Sequence, residues 1–173
     1  VAFSAISERK QTEAAQRESE RLLLEAQRIA SLGSYVLHIP TGLWKSSAVL
    51  DQVFGIDDAY ERSLDGWAAL LHPDDRARMA DYLTNEVIAR HRAFDQEYRI
   101  LRHDNQAERW IHGMGQLEFD AQGHPLTMHG TVQDITERKR VEEVQAFLAR
   151  TGHRTAGESF FNVLRLPFQL LHH

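Results

Sequence analysis

The sequence predicts an α+β fold: a five-stranded antiparallel sheet with its helices gathered over one face. Three observations carry that prediction. Two runs rich in Trp, Ile, Leu, Phe and Val, residues 109–119 and 126–134, are separated by a short polar segment at 120–125, the pattern of a hairpin. A third run, FDQEYRIL at 94–101, alternates so that Phe94, Gln96, Tyr98 and Ile100 share one face. Two short strand-like runs and then a block of helical segments precede these, and strands joined by short turns pair antiparallel, with the intervening helices on one side.

The elements follow in chain order. Residues 7–32 contain no Pro or Gly and are dense in Ala, Glu, Gln, Arg and Leu, which predicts a long helix. Leu22, Ala26 and Ile29, with Ala15 and Leu32, form an apolar stripe at roughly 3.5-residue spacing that suits either packing on the chain's own domain or a two-helix seam. Residues 34–39 alternate in part, and Thr41-Gly42 turns the chain into Leu43-Trp44-Lys45, a short hairpin. Ser46 or Ser47 caps a two-turn helix with Val49, Leu50, Val53 and Phe54 on one face and Gly55 as its left-handed stop. Trp67, Leu70 and Leu71 belong to another brief buried helix. At residues 72–75, HPDD, the proline sits at the first helical position and two carboxylates meet the positive helix end. Met79, Tyr82, Leu83 and Val87 continue at helical spacing, and the helix ends near His91. Residues 102–105, RHDN, turn into the central hairpin. After it, Thr136 is a good N-cap and Glu137 places a negative charge in the first turn of a helix that runs to about Arg150, where Thr151-Gly152 breaks it. Residues 158–166 then read as a new amphipathic helix, while Pro167 and the closing His172-His173 are assigned no role.

A chain of 173 residues accommodates one domain plus extensions. With 42% hydrophobic and 26% charged residues the composition is that of a globular protein, and no apolar run approaches the ~20 residues of a membrane span. There are no cysteines and no basic-then-apolar leader, so a cytoplasmic protein without a disulfide framework is expected. A net charge of −5 with no Lys/Arg block argues against a nucleic-acid surface.

Several segments together resemble the PAS sensory domains of bacterial signalling proteins: GSYVLHIPTG at 33–42, LHPDDR at 71–76, RWIHGMG at 109–115, the D-x-x-G-x-P turn at Asp120, Gly123 and Pro125, and GTVQDITERK at 130–139. They occur in the order that family uses and span about residues 30–140. The resemblance implies a five-stranded sheet under a helical cover, and a sensory or signal-relay module of a multidomain protein, either a histidine kinase of a two-component system or a cyclic-dinucleotide enzyme. Its catalytic output domain would lie outside this chain, and it would act as a homodimer through flanking helices beside adjacent domains of the same chain. A ligand-free dimerisation scaffold is the alternative, and a flavin- or haem-bearing redox sensor the third. Residues 1–16 also align without gaps on residues 130–145, sharing Ile-Ser/Thr-Glu-Arg-Lys and a final Gln, with Ala5 where the later copy has Asp134. The expected organisation is therefore the end of a preceding repeat plus a connector helix at 1–32, the domain at 33–137, a linker helix at 138–150, and at 151–173 the start of a following domain, whose helix resembles that of a GAF-type domain, or a tail.

Ten histidines show no metal-ligand spacing, and no nucleophile motif, phosphate cradle or paired catalytic carboxylate stands out. Haem ligation in the family would fall on His91. The light-sensing branch uses a reactive cysteine, absent here, and its flavin-contacting glutamine falls at Val132; Trp44, Trp67 and Trp110 leave non-photochemical flavin binding open. A ligand pocket would be lined by Phe54, Trp67, Leu71, Met79, Leu83, Tyr98, Met128, Gly130 and Val132, which are equally the core. The residues expected to transmit a signal are Asp134, which can accept the Thr136 N–H or pair with an arginine, Ile135, which can plug the junction into the core, Thr136, which caps the outgoing helix, and Arg138. An ordinary helix cap is the simpler account of the same four.

Overall fold

In a computed structural model, residues 2–29 and 32–151 are described. The described residues up to Thr136 belong to one compact unit, and those from Glu137 to Thr151 belong to a second. The elements are α1 (Ala2–Ile29), β1 (Leu32–His38), β2 (Leu43–Ser46), α2 (Ala48–Phe54), α3 (Leu64–Leu70), α4 (Pro73–Asp81) with a π-helical continuation Tyr82–Ile88, β3 (Phe94–Leu101), β4 (Glu108–Phe119), β5 (Pro125–Asp134) and α5 (Thr136–Thr151).

The five strands form one antiparallel sheet in the order β2-β1-β5-β4-β3, as the α+β reading predicts. Short turns join three of the four neighbouring pairs. The fourth, β1 with β5, closes the sheet across most of the domain, setting Tyr35 opposite Gly130 and Leu37 opposite Met128. Alternation then sorts the side chains: Leu37, Tyr98, Ile100, Ile111, Met128 and Val132 are buried on one face. The residues packed against them from the helices include Leu50, Val53 and Phe54 of α2, Leu70 of α3, Leu71, Met79, Leu83 and Val87. Each large apolar side chain taken fully out of water contributes about 1.5–3 kcal/mol.

The helix starts obey the local signals. Ser47 accepts the Leu50 N–H and Ser63 the Gly66 N–H, each the N-cap of its helix. The His72 ring accepts from Asp74 with Pro73 at the first turn, and Gly55 closes α2 with φ 68°. The Asp120 carboxylate accepts the N–H groups of Gln122 and His124, while Gly123 takes φ 83° to turn β4 into β5.

Three expectations change. The helix expected to end near His91 is α-helical only to Asp81 and widens into a π-turn, where Ala89 N–H reaches Thr84 O, and the chain then reverses at His91 with φ 56°. Residues 2–6, which the internal match would make the end of a strand, are helical and continuous with the rest of α1. Of the apolar stripe on α1, Leu22, Ala15 and Ala26 are exposed rather than packed on the domain. The expected helix at 158–166 lies outside the described residues.

Candidate functional site

The sheet hands over to α5 through one residue. Ile135 is buried and its N–H donates to Trp110 O at 2.9 Å. The Trp110 N–H in turn donates to the Thr136 hydroxyl at 3.0 Å, so both backbone groups of Trp110 hold the junction. Asp134 Oδ1 accepts the Thr136 N–H at 2.9 Å and the Thr136 hydroxyl at 2.5 Å, and Asp134 Oδ2 stands 3.8 Å from Arg109 Nη1. The two alternatives for Asp134 therefore coexist, one on each oxygen. The Thr136 hydroxyl accepts the Trp110 N–H from β4 and donates to the Asp134 carboxylate, which also receives the Thr136 N–H at the first helical residue. Arg138 stands 3.9 Å from Glu142 on α5. The Arg109 Nε is buried without a hydrogen-bond partner among the described residues.

A polar track leads away from the junction along the outer edge of the sheet. The Arg99 guanidinium lies over the Trp110 ring, 5.6 Å from its centroid. The same arginine donates from Nε to Asp75 at 3.1 Å, and its backbone N–H donates there at 2.9 Å. Asp75 belongs to the first turn of α4, so the Arg99 guanidinium links α4, the edge strand β3 and β4 through charged contacts.

Inside, the helices and sheet leave an apolar cavity of about 50 Å³. Six of the nine predicted lining residues reach it: Phe54, Trp67, Leu83, Tyr98, Met128 and Val132. Leu71 and Met79 are fully buried in the packed core around it. Gly130 lies beneath the Tyr35 ring, where a Cβ would come 2.4 Å from Tyr35 Cζ. Tyr35, Leu37, Trp44, Leu50, Leu64 and Phe94 also line the cavity and were not in the predicted set. Trp67, Phe94 and Tyr98 meet edge to face with centroids 6.0–6.3 Å apart. Burial, opposed by a contact from Trp67, pushes the Tyr98 phenol up to about 12, and burial likewise raises Tyr35.

A cavity of this size holds about one water, whereas ligand sites start at ~300 Å³, so neither flavin nor haem fits this arrangement of side chains. His91 is exposed and stacks edge-on against Phe119 rather than facing the cavity. Trp44 and Trp67 line the interior, but Trp110 stands in register with Arg99 on the opposite sheet face, so the three tryptophans do not share a site. No group of three or more His, Cys, Asp or Glu side chains among the described residues is placed to hold a metal, and no described helix is long and apolar enough to cross a membrane.

The sequence reading missed Tyr35, Arg109 and the Asp75–Arg99 pair. Tyr35 carried a signal, since it alternates with Gly33 and Leu37 in the first strand; the arginines carried none, because nothing local distinguishes an arginine that reaches a carboxylate 24 residues away.

A family described as "PAS fold" matches residues 44–132. Among solved structures, the chain is 28% identical to a sensory box histidine kinase/response regulator from Burkholderia thailandensis, covering 77% of this chain and 98% of that one, with a TM-score of 0.63. It is 17% identical to the N-terminal domain of a diguanylate cyclase with PAS/PAC sensor from Marinobacter aquaeolei (62% and 98% covered, TM-score 0.58). It is 18% identical to a domain of a putative light and redox sensing histidine kinase from Haloarcula marismortui (67% and 99%, TM-score 0.54). The last two similarities concern the fold alone. No curated protein matches the chain.

Proposed function

Because the chain belongs to the PAS family, we propose that it is a cytoplasmic sensory or signal-relay module of a bacterial multidomain signalling protein, a histidine kinase or a cyclic-dinucleotide enzyme, with its catalytic output domain elsewhere. The observation that carries this reading is the double hold of Trp110 on the junction: its C=O takes the Ile135 N–H and its N–H is taken by Thr136. A shift of β4 therefore displaces Ile135 and Thr136, and Asp134, bonded to Thr136 at both N–H and hydroxyl, ties that residue to the end of β5. Residues 33–137 are the sensing body, 1–32 connect it to a preceding repeat, and α5 leads toward an output domain.

The module acts as a homodimer through its flanking helices. On α5, Val141, Val144 and Leu148 recur at one helical face and are 47–61% exposed, with Phe147 beside them, the spacing of a two-helix seam. A ligand-free dimerisation scaffold is the second reading, supported by the small cavity. The experiment that separates the two is Asp134→Ala in the full-length parent protein. Relay predicts an output that no longer responds although the domain stays folded; folding and output falling together would reduce the junction to a helix cap.

A further inference from the structure

We propose that Met114 is a reversible oxidation site through which hydroperoxides act on β4, the strand that holds the junction. The inference rests on the relay reading above and names a chemical regulation of it. Sulfur is scarce in this chain and mostly hidden. There are three methionines and no cysteine. Met79 is fully buried and Met128 is 3% exposed, whereas Met114 is 40% exposed. An oxidant arriving from solvent therefore meets a single accessible sulfur atom. Met114 stands on the outer sheet face, because its neighbours Gly113 and Gly115 lie on the buried side of β4. A groove of about 350 Å³ runs over it, to which Asp95, Gln116, His129 and Thr131 also contribute, so a hydroperoxide has room to reach the thioether. The sulfur lone pair attacks the terminal oxygen of the hydroperoxide. An S–O bond forms as the O–O bond breaks, the sulfur loses two electrons, and the second oxygen leaves with the proton as water or an alcohol.

The sulfoxide is polar where the thioether is apolar, and hydrogen-bonding groups surround it. Directly opposite Met114 stand Asp95 on β3 and Thr131 on β5, and opposed residues of this kind hold their Cβ atoms ~4.5–5.5 Å apart. The Thr131 hydroxyl is a donor for the new oxygen. Asp95 holds His112 Nε2 at 2.7 Å, and a sulfoxide oxygen in the same row competes for that ring. The outer face of β4 continues from Met114 through His112 to Trp110, whose two backbone groups hold Ile135 and Thr136. The Met114 carbonyl also accepts the Tyr35 hydroxyl at 3.0 Å, which ties the backbone of β4 to β1 at the residue that is oxidised. A rearrangement of side chains at Met114 therefore bears on the strand that positions the start of α5, and it loosens the hold of Trp110.

The test treats the whole chain with hydrogen peroxide and follows each methionine by peptide mass mapping. One added oxygen is expected at Met114 about tenfold faster, or more, than at Met79 or Met128, and methionine sulfoxide reductase with a thiol reductant should remove it. In hydrogen exchange, the oxidised chain should exchange about threefold faster, or more, at the Ile135 and Thr136 amides, the scale of one weakened hydrogen bond, with Gly123 unchanged. Met114→Leu keeps the volume of methionine without its sulfur, and its amides should exchange alike with and without peroxide. The proposal is overturned if Met79 or Met128 reacts as fast as Met114, or if the reductase does not restore the untreated exchange rates. It is equally overturned if oxidised Met114 leaves the two amides as they were, or if Met114→Leu responds to peroxide as wild type does. Such a failure leaves the relay reading intact, because the Asp134→Ala experiment uses no oxidant. Peroxide-dependent exchange at the junction with an output indifferent to Asp134 would overturn the relay alone.

Discussion

Removing the Asp75 carboxylate tests whether the charge track at the sheet edge holds α4 in place. Asp75 is 8% exposed and accepts the Arg99 backbone N–H at 2.9 Å, Nε at 3.1 Å and Nη2 at 3.4 Å, with Arg78 at 3.6 Å. Burial alone would raise its pKa, but the Arg99 hydrogen bonds and the charges of Arg99 and Arg78 outweigh burial and hold the carboxyl below the usual range. Breaking a buried pair by removing one partner costs about 3–5 kcal/mol. Here Arg99 can still turn toward Asp74 at 3.5 Å, so the lower end, about 3 kcal/mol, is expected for Asp75→Ala. Asp75→Asn keeps an acceptor for the backbone N–H and should lose about 1–2 kcal/mol. The folded carboxyl is depressed, so its stabilisation is present above the unfolded value near ~4 and is lost as pH falls through the folded value. Urea unfolding of wild type and Asp75→Asn from pH 7 to pH 2 should therefore show two curves that converge below about pH 4. Parallel curves across the whole range, or an Asp75→Ala variant within ~0.5 kcal/mol of wild type at pH 7, would refute the reasoning.

Three further outcomes are expected. Gly130→Ala would place a Cβ 2.1 Å from the Met114 carbonyl oxygen and should cost about 3 kcal/mol or more in denaturant unfolding; Gly123→Ala, with open space but φ 83°, should cost only about 1 kcal/mol. Asp134→Ala removes two hydrogen bonds to Thr136 and should lower stability by about 2 kcal/mol, with faster hydrogen exchange at the Thr136 amide and unchanged exchange at Gly123. Val144→Glu with Leu148→Glu, both on the exposed face of α5, should shift sedimentation from dimer to monomer without loss of helical circular dichroism; a concentration-independent monomer in the unmutated chain would sink the seam.

What the sequence determined by itself was whatever is written within a few residues. Period-two alternation set β3 at Phe94–Leu101 without error, the Asp120-Gly123-Pro125 turn set the β4–β5 hairpin, and His72-Pro73-Asp74-Asp75 set the start of α4. The apolar inner faces gave most of the core, including six of the nine pocket residues. The tertiary structure alone decided the rest. That β1 pairs with β5 rather than ending the sheet, that Trp110 faces away from Trp44 and Trp67, and that Arg99 reaches back to Asp75 all follow from pairings between segments far apart in the chain. Thr136 shows the difference in one residue. Its type and position announced a helix start, but that its hydroxyl also accepts the Trp110 N–H of β4 at 3.0 Å is decided only when the folded sheet brings the two together. Tyr35 shows it again: two glycines on other strands leave the backbone bare, and the ring that fills the space comes from the far end of the domain. Local propensity fixes which way a segment runs; which groups are left unsatisfied or uncovered, and by what they are met, is settled only when distant segments pack together.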